Sequence, residues 1–228
     1  VKVTGSVTGN NDVAGIVNKI DEDGKIENVA FVGKINSVGN NSTVGGIAGS
    51  NYMGFVNRAY VDATITAQNA NASMLVPFVT YMLNSWKSGT KAKVTNSVAK
   101  GVLDVKNTRN VGGIVAKTWP YGAVQDNVTY AKVIKGQEIF ASNDVNDEDG
   151  GPHIKDLFGV VGYSSAEDGT GKDTKSPKKL KHLTKEEADK RVEGYKITAD
   201  TFVSEPYALN TLNNASSQAD FVNIQDYN

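Results

Sequence analysis

Val44-Gly45-Gly46-Ile47-Ala48-Gly49, followed by Gly54-Phe55-Val56, is one copy of a unit that recurs along the chain. Upstream, Val13-Ala14-Gly15-Ile16-Val17 leads to Gly24-Lys25-Ile26. Downstream, Val111-Gly112-Gly113-Ile114-Val115 leads to Gly122-Ala123-Val124. Self-similarity at a near-constant spacing is the signature of stacked repeats. Ile26, Val56, Val94 and Val124 are equivalent positions, at intervals of 30, 38 and 30 residues. Around them, Asn28, Arg58, Asn96 and Asp126 form a polar column. Gly33, Ala63, Gly101 and Ala131 form a small one, and Ile35, Ile65, Leu103 and Val133 an apolar one.

Short apolar clusters separated by Gly and Asn turns suit β-strands at tight corners, because these residues tolerate positive φ. Propeller blades run to roughly 40 residues, longer than this unit, whereas a β-helix lets glycine corners stack closely. The expected fold is therefore all-β: a right-handed parallel β-helix of about four to five coils. Its hand follows the general bias of parallel connections. The third unit replaces the glycine pair with Met74-Leu75-Val76-Pro77-Phe78 and carries its extra residues around Tyr81 to Gly89. Val1 to Val7 alternates as a strand, the end of a repeat whose beginning lies in a longer parent chain.

Residues 1–163 are assigned to the repeats, with Leu157 to Tyr163 echoing a last coil. Residues 164–182 form a Gly/Ser/Lys loop and 183–228 short helices and linker. Thr184-Lys185-Glu186-Glu187 matches a capping box, which predicts a helix to about Val192 that stops at Gly194. Ser204-Glu205-Pro206 opens a second helix through Leu212. Both are expected to cap one end of the solenoid, where strand edges would otherwise be open.

Chemistry is sparse. With 24 Lys plus Arg against 25 Asp plus Glu, the net charge of -1 gives no electrostatic reason to expect nucleic acid. No apolar run reaches the roughly 20 residues of a membrane span. There is no cysteine, hence no disulfide, thiolate nucleophile or Cys zinc site. The two histidines, His153 and His182, do not form His-Glu-x-x-His and read as loop residues. Ala166 to Asp173 approaches a phosphate-binding loop but has Ala at the first Gly and Asp at the hydroxyl position. Asp144, Asn146, Asp147, Glu148 and Asp149 offer oxygen ligands for a weak calcium loop, without EF-hand spacing. Asp62, Asp104 and Lys100 are the candidates if the outer sheet face cleaves glycans. Asn41, Asn71 and Asn127 begin glycosylation acceptor patterns of the kind that an Asn/Thr-rich composition produces. Tyr81, Met82 and Trp86 of the insertion, with Trp119 and Tyr121 of the next unit, form a candidate protein-binding patch; packing in the core or against a cap is the plainer reading.

The glycine-centred units resemble Gly-Leu-x-Gly-type repeats of bacterial surface proteins. Followed by Ile154-Lys155-Asp156-Leu157-Phe158-Gly159 and Leu183-Thr184-Lys185-Glu186-Glu187-Ala188-Asp189, they resemble the non-catalytic region of streptococcal zinc metalloproteases of the immunoglobulin A1 protease family. The resemblance implies an extracellular module at the bacterial cell surface or wall, without cofactor or catalytic residues of its own. Zinc would sit in a downstream protease domain of the parent. The implied partners are that domain and a host glycoprotein such as immunoglobulin A1. A surface adhesin or carbohydrate-active β-helix is the alternative.

Overall fold

Successive coils follow one path through two stacked parallel sheets. The computed structural model describes residues 1–80, 92–118, 123–135, 140–143, 161–162, 181–182, 184–198 and 201. The first coil contributes β1 (Lys2–Gly9), β2 (Val13–Ala14) and β3 (Val17–Ile20); the second, β4 (Lys25–Gly45) and β5 (Ala48–Tyr52). The third contributes β6 (Phe55–Ser73) and β7 (Phe78–Thr80), and the fourth β8 (Lys93–Thr95), β9 (Val98–Gly112) and β10 (Val115–Thr118). A less continuous turn follows: β11 (Ala123–Gln125), β12 (Val128–Thr129), β13 (Lys132–Val133) and β14 (Phe140–Asn143). One sheet stacks β1, β4, β6, β8 with β9, and β11 to β13; the other stacks β3, β5, β7, β10 and β14. Every described pairing is parallel. The result is the expected β-solenoid, with about four turns.

The apolar column is the core. Ile35, Ile65, Leu103 and Val133 lie opposite one another in successive strands and are buried in the lumen. The glycine corners let the coils close on each other. A Cβ on Gly15 would collide with the Gly46 carbonyl, and one on Gly46 with the Met74 carbonyl. The polar column has a backbone role. Asn28, Arg58, Asn96 and Asp126 all take the left-handed conformation, at φ 55°, 55°, 50° and 54°. Asn and Asp visit this region at low cost; Arg does not. Arg58 is held there by its side chain, whose Nε donates to Asn28 Oδ1 at 2.7 Å.

Buried amides stitch the coils at the corners. Asn51 accepts from Gly54 N at 2.9 Å and donates to the carbonyls of Gly54 (3.1 Å) and Lys93 (3.2 Å), the latter at the start of the fourth coil. Asn127 accepts from Ser97 N at 3.0 Å and donates to the Val94 carbonyl at 2.8 Å. Satisfied buried polar groups of this kind fix register.

Register also locates the insertion. Asn51 pairs with Val79, a step of 28, whereas Phe55 pairs with Lys93, a step of 38. The extra residues therefore lie between Val79 and Lys93, as the repeat interval implies. The 28-residue steps arise because β4 is longer than β6. Its pairing slips between Ser37 and Asn40 and again before Ser42, where Asn41 has φ 63°. Asn40-Asn41 sits on these bulges inside one long strand.

The helix α1 (Lys185–Tyr195) has the expected capping box: Thr184 Oγ1 accepts from Glu187 N, and Glu187 accepts from Thr184 N. It runs past Gly194 and ends at Lys196, which takes the left-handed conformation at φ 52°. It is the short helix expected on the C-terminal side of the repeats. It lies along the outer face of the sheet, packed on coils that follow one another (see below). The second helix and most of the expected last coil lie outside the described residues; Val161–Gly162 (β15) pairs with Lys181–His182 (β16).

Ser73 Oγ is buried without a hydrogen-bond partner, in a register column shared with Gly45 and Gly112. Ser73→Ala is expected to leave stability unchanged or raise it by about 1 kcal/mol, since an unpaired buried hydroxyl is lost. Asn51→Ala is expected to cost about 2 kcal/mol or more, because it orphans backbone groups in two coils. Urea unfolding of the two variants measures both; equal destabilisation would contradict the assignment.

Candidate functional site

Two ladders run side by side along the outside of the solenoid, and α1 lies on them. Each left-handed residue is followed, two positions on, by an outward-facing residue of the sheet: Ala30, Tyr60, Val98 and Val128. These four pair in register from coil to coil and are nonetheless buried. Ala188, Val192, Tyr195 and Ile197 cover them. The 11 residues of α1 rise roughly 16.5 Å, and three coil steps span roughly 14 Å. A helix of this length therefore matches the height of four coils.

The left-handed ladder supplies the polar anchors. Arg191 Nη1 donates to Asp126 Oδ1 at 2.9 Å. The Tyr195 hydroxyl donates to the Asp126 carbonyl, and Arg58 Nη1 donates to the Tyr195 carbonyl at 2.6 Å. Arg58 thus joins coils two and three through Asn28 and also satisfies a carbonyl at the helix C-terminus. That bond explains why the helix continues through Gly194. Burial pushes the Tyr195 phenol up, with the charge of Asp126 adding to it.

Beside the helix lies an open cleft of about 560 Å³. Lys100 sits in it, with Nζ 5.8 Å from the Tyr60 ring centroid and 5.4 Å from that of Tyr130. The Tyr130 hydroxyl donates to Asp189 Oδ1 at 2.8 Å, and Lys185 pairs with the other carboxylate oxygen. Hydrogen bonds from Lys185 and then Tyr130 hold the Asp189 carboxyl below the usual range. Glu193 and Lys196 complete the rim. The cleft offers mixed charge and aromatic surface.

The outer-face candidates do not converge. Asp62 lies opposite Lys100, but Asp104 lies opposite Thr66, four residues further along the strand. The two carboxylates are therefore separated by roughly 13 Å along the sheet. Glycoside cleavage needs roughly 5 to 9.5 Å. Of the acceptor asparagines, Asn127 is fully buried and hydrogen-bonded and Asn71 is buried; Asn41 is exposed. Tyr81, Met82, Trp86, Trp119, Tyr121 and His153 lie outside the described residues, as do Asp144, Asn146, Asp147, Glu148 and Asp149. Among the described residues, β7 pairs with β10 and β8 with β11.

Among the described residues no group of three or more His, Asp or Glu could hold a metal ion.

The chain is 49% identical over 199 residues to zinc metalloprotease ZmpB of Streptococcus pneumoniae serotype 4 (strain ATCC BAA-334 / TIGR4). That match covers 86% of this chain and 10% of ZmpB. It is 32% identical over 145 residues to zinc metalloprotease ZmpC of the same strain, covering 61% of this chain and 8% of ZmpC. The chain thus spans about a tenth of the length of these curated relatives. It is homologous to a limited region of both. No family model matches, and no solved structure does. No described helix is long and apolar enough to cross a membrane.

The anchors generate a pH prediction. Asp189 titrates below its ordinary range in the folded protein, so its contribution is present above the ordinary Asp pKa and is lost as pH falls through the folded value. Tyr195 titrates above its ordinary range, so its contribution is present below the usual phenol pKa and is lost as pH rises through the folded value. Protection of α1 amides from hydrogen exchange, corrected for intrinsic rate, should hold across neutral pH and fall at both extremes. Tyr195→Phe should weaken docking by about 1 kcal/mol at neutral pH, leaving the Asp126 carbonyl unpaired. Unchanged protection in that variant would remove the hydroxyl from the account.

Proposed function

We propose that this chain is a non-catalytic β-solenoid module of a secreted or surface-attached bacterial zinc metalloprotease, acting as scaffold and as part of the surface that engages substrate. The observation that carries the reading is the 49% identity to a streptococcal zinc metalloprotease over 86% of the chain. The architecture supports a scaffold role. A solenoid is rigid along its axis, presents long lateral faces and needs no buried reactive group. In this reading zinc and its ligands belong to another part of the parent, and the partners of the module are the protease domain and a host glycoprotein. Immunoglobulin A1 is the first to test. The substrate-engaging residues are assigned to the segments of Trp86 and Trp119, because insertions in stacked repeats often gather on the binding face. The carbohydrate-active alternative loses its main support with the separation of Asp62 from Asp104.

Binding of the purified chain to human immunoglobulin A1 and a panel of mucosal glycoproteins tests this, with Trp86→Ala and Trp119→Ala alongside. The expected result is saturable binding that falls at least tenfold in one of the variants, with an unchanged unfolding midpoint. Binding that neither substitution affects would move the face elsewhere. No binding to any panel member, together with binding to glycans alone, would overturn the reading in favour of an adhesin.

A further inference from the structure

The first coil is shaped to receive a neighbour. In the small-residue column, Gly5 pairs with Gly33, Gly33 with Ala63 and Ala63 with Gly101. Gly33 (φ +156°) and Gly101 (φ +103°) share a conformation that L side chains rarely adopt, and each has a reason for it. A Cβ on Gly33 would overlap the Gly5 carbonyl, and one on Gly101 the Ala63 carbonyl. In both cases the carbonyl belongs to the preceding coil. Gly5 keeps the same geometry, φ +148°, yet nothing lies within 4 Å of where its Cβ would be. The close-approach seat is built and, among the described residues, empty.

The surroundings repeat the pattern. Val3 belongs to the register column of Phe31, Val61 and Ala99, all fully buried, but is itself 37% exposed. Val1 is 74% exposed, and the remaining exposed large hydrophobic among the described residues, Val38 at 52%, also lies near this end. The eight-residue β1 pairs with β4 along one edge and has no described strand on the other. It lacks the proline, bulge or run of charge that blunts a natural sheet edge.

We infer that the free edge of β1 is the docking surface for one more coil of the same solenoid, supplied by the parent polypeptide N-terminal to Val1. Its strand would run parallel to β1, place an apolar side chain over Val3 and bring a small residue's carbonyl onto Gly5. The geometry favours this occupant over a second copy. A parallel rung reproduces the carbonyl seat found at Gly33 and Gly101, whereas two β1 edges meeting head to head would pair antiparallel. The inference is independent of the proposed function, since it concerns how far the solenoid extends and not what it binds.

The register supplies the test. Lys2 pairs with Ala30, a step of 28, so Asn28 followed by a second Val1 reproduces the native Asn28-Val29 junction. A chain carrying an extra copy of residues 1–28 before Val1 would therefore add one coil in register. It should stay monomeric, and the β1 amides that point away from β4 should exchange at least about tenfold more slowly, a shift of about 1.4 kcal/mol. The added coil carrying Val3→Lys within β1 should lose that protection, while Val3→Lys in the unextended chain should leave the unfolding midpoint little changed. Unchanged β1 exchange in the extended chain would overturn the inference. So would a dimer of the unextended chain that Val3→Lys dissolves, which would assign the edge to a second copy.

Discussion

The structure depends on one spacing. Each coil must meet the next at the distance between hydrogen-bonded strands, about 4.8 Å, along its whole path. Straight segments meet this easily. Corners do not, because the chain turns while its carbonyls still face the neighbouring coil. The corner residues are therefore the ones the spacing selects. Gly15 and Gly46 admit a neighbour's carbonyl where a Cβ would not fit. Asn28, Arg58, Asn96 and Asp126 turn the backbone through the left-handed region at the same point of each coil. Asn51 and Asn127 supply donors and acceptors where the ladder leaves backbone groups unpaired.

The same constraint builds the lateral surface. Because the coils are in register, whatever occupies one column becomes a ridge along the axis. A column of left-handed polar residues and a column of outward apolar residues lie two positions apart, so each pair of ridges forms a track. α1 occupies that track between Arg58 of the third coil and Asp126 of the last turn. It is braced by Arg58 and Asp126, whose backbone conformation the coil geometry already required. Docking along the axis also resists sliding of one coil on another, since the helix touches several coils at once.

Much of the fold was legible because register writes itself into the sequence. The columns through Ile35 and Asn28, the intervals of 30 and 38, and the capping box at Thr184 are all local or periodic signals, and each reappears in the structure. What escaped depends on tertiary partners. Val128 and Ala188 are far apart in the chain, and no local pattern says that they touch. The available clue was the outward row Ala30, Tyr60, Val98 and Val128, apolar where an uncovered sheet face would be polar. Gly194 looked like a helix stop because its partners, Arg58 and Asp126 acting on Tyr195, lie more than a hundred and about seventy residues upstream. Of the insertion, the sequence carried its place in the chain: the interval of 38 puts the extra residues between Val79 and Lys93, and nothing in their identity specifies what they bind.

The central claim is in-register parallel stacking. Lys34, Thr64, Val102 and Lys132 form one outward register column. The chain has no cysteine, so Lys34→Cys and Lys132→Cys can carry a pair of spin labels without background. Three coil steps put the two Cα atoms about 14 Å apart, and strong dipolar broadening between the labels is the predicted result. A separation above about 25 Å, as when the repeats form separate blades around an axis, would contradict the account.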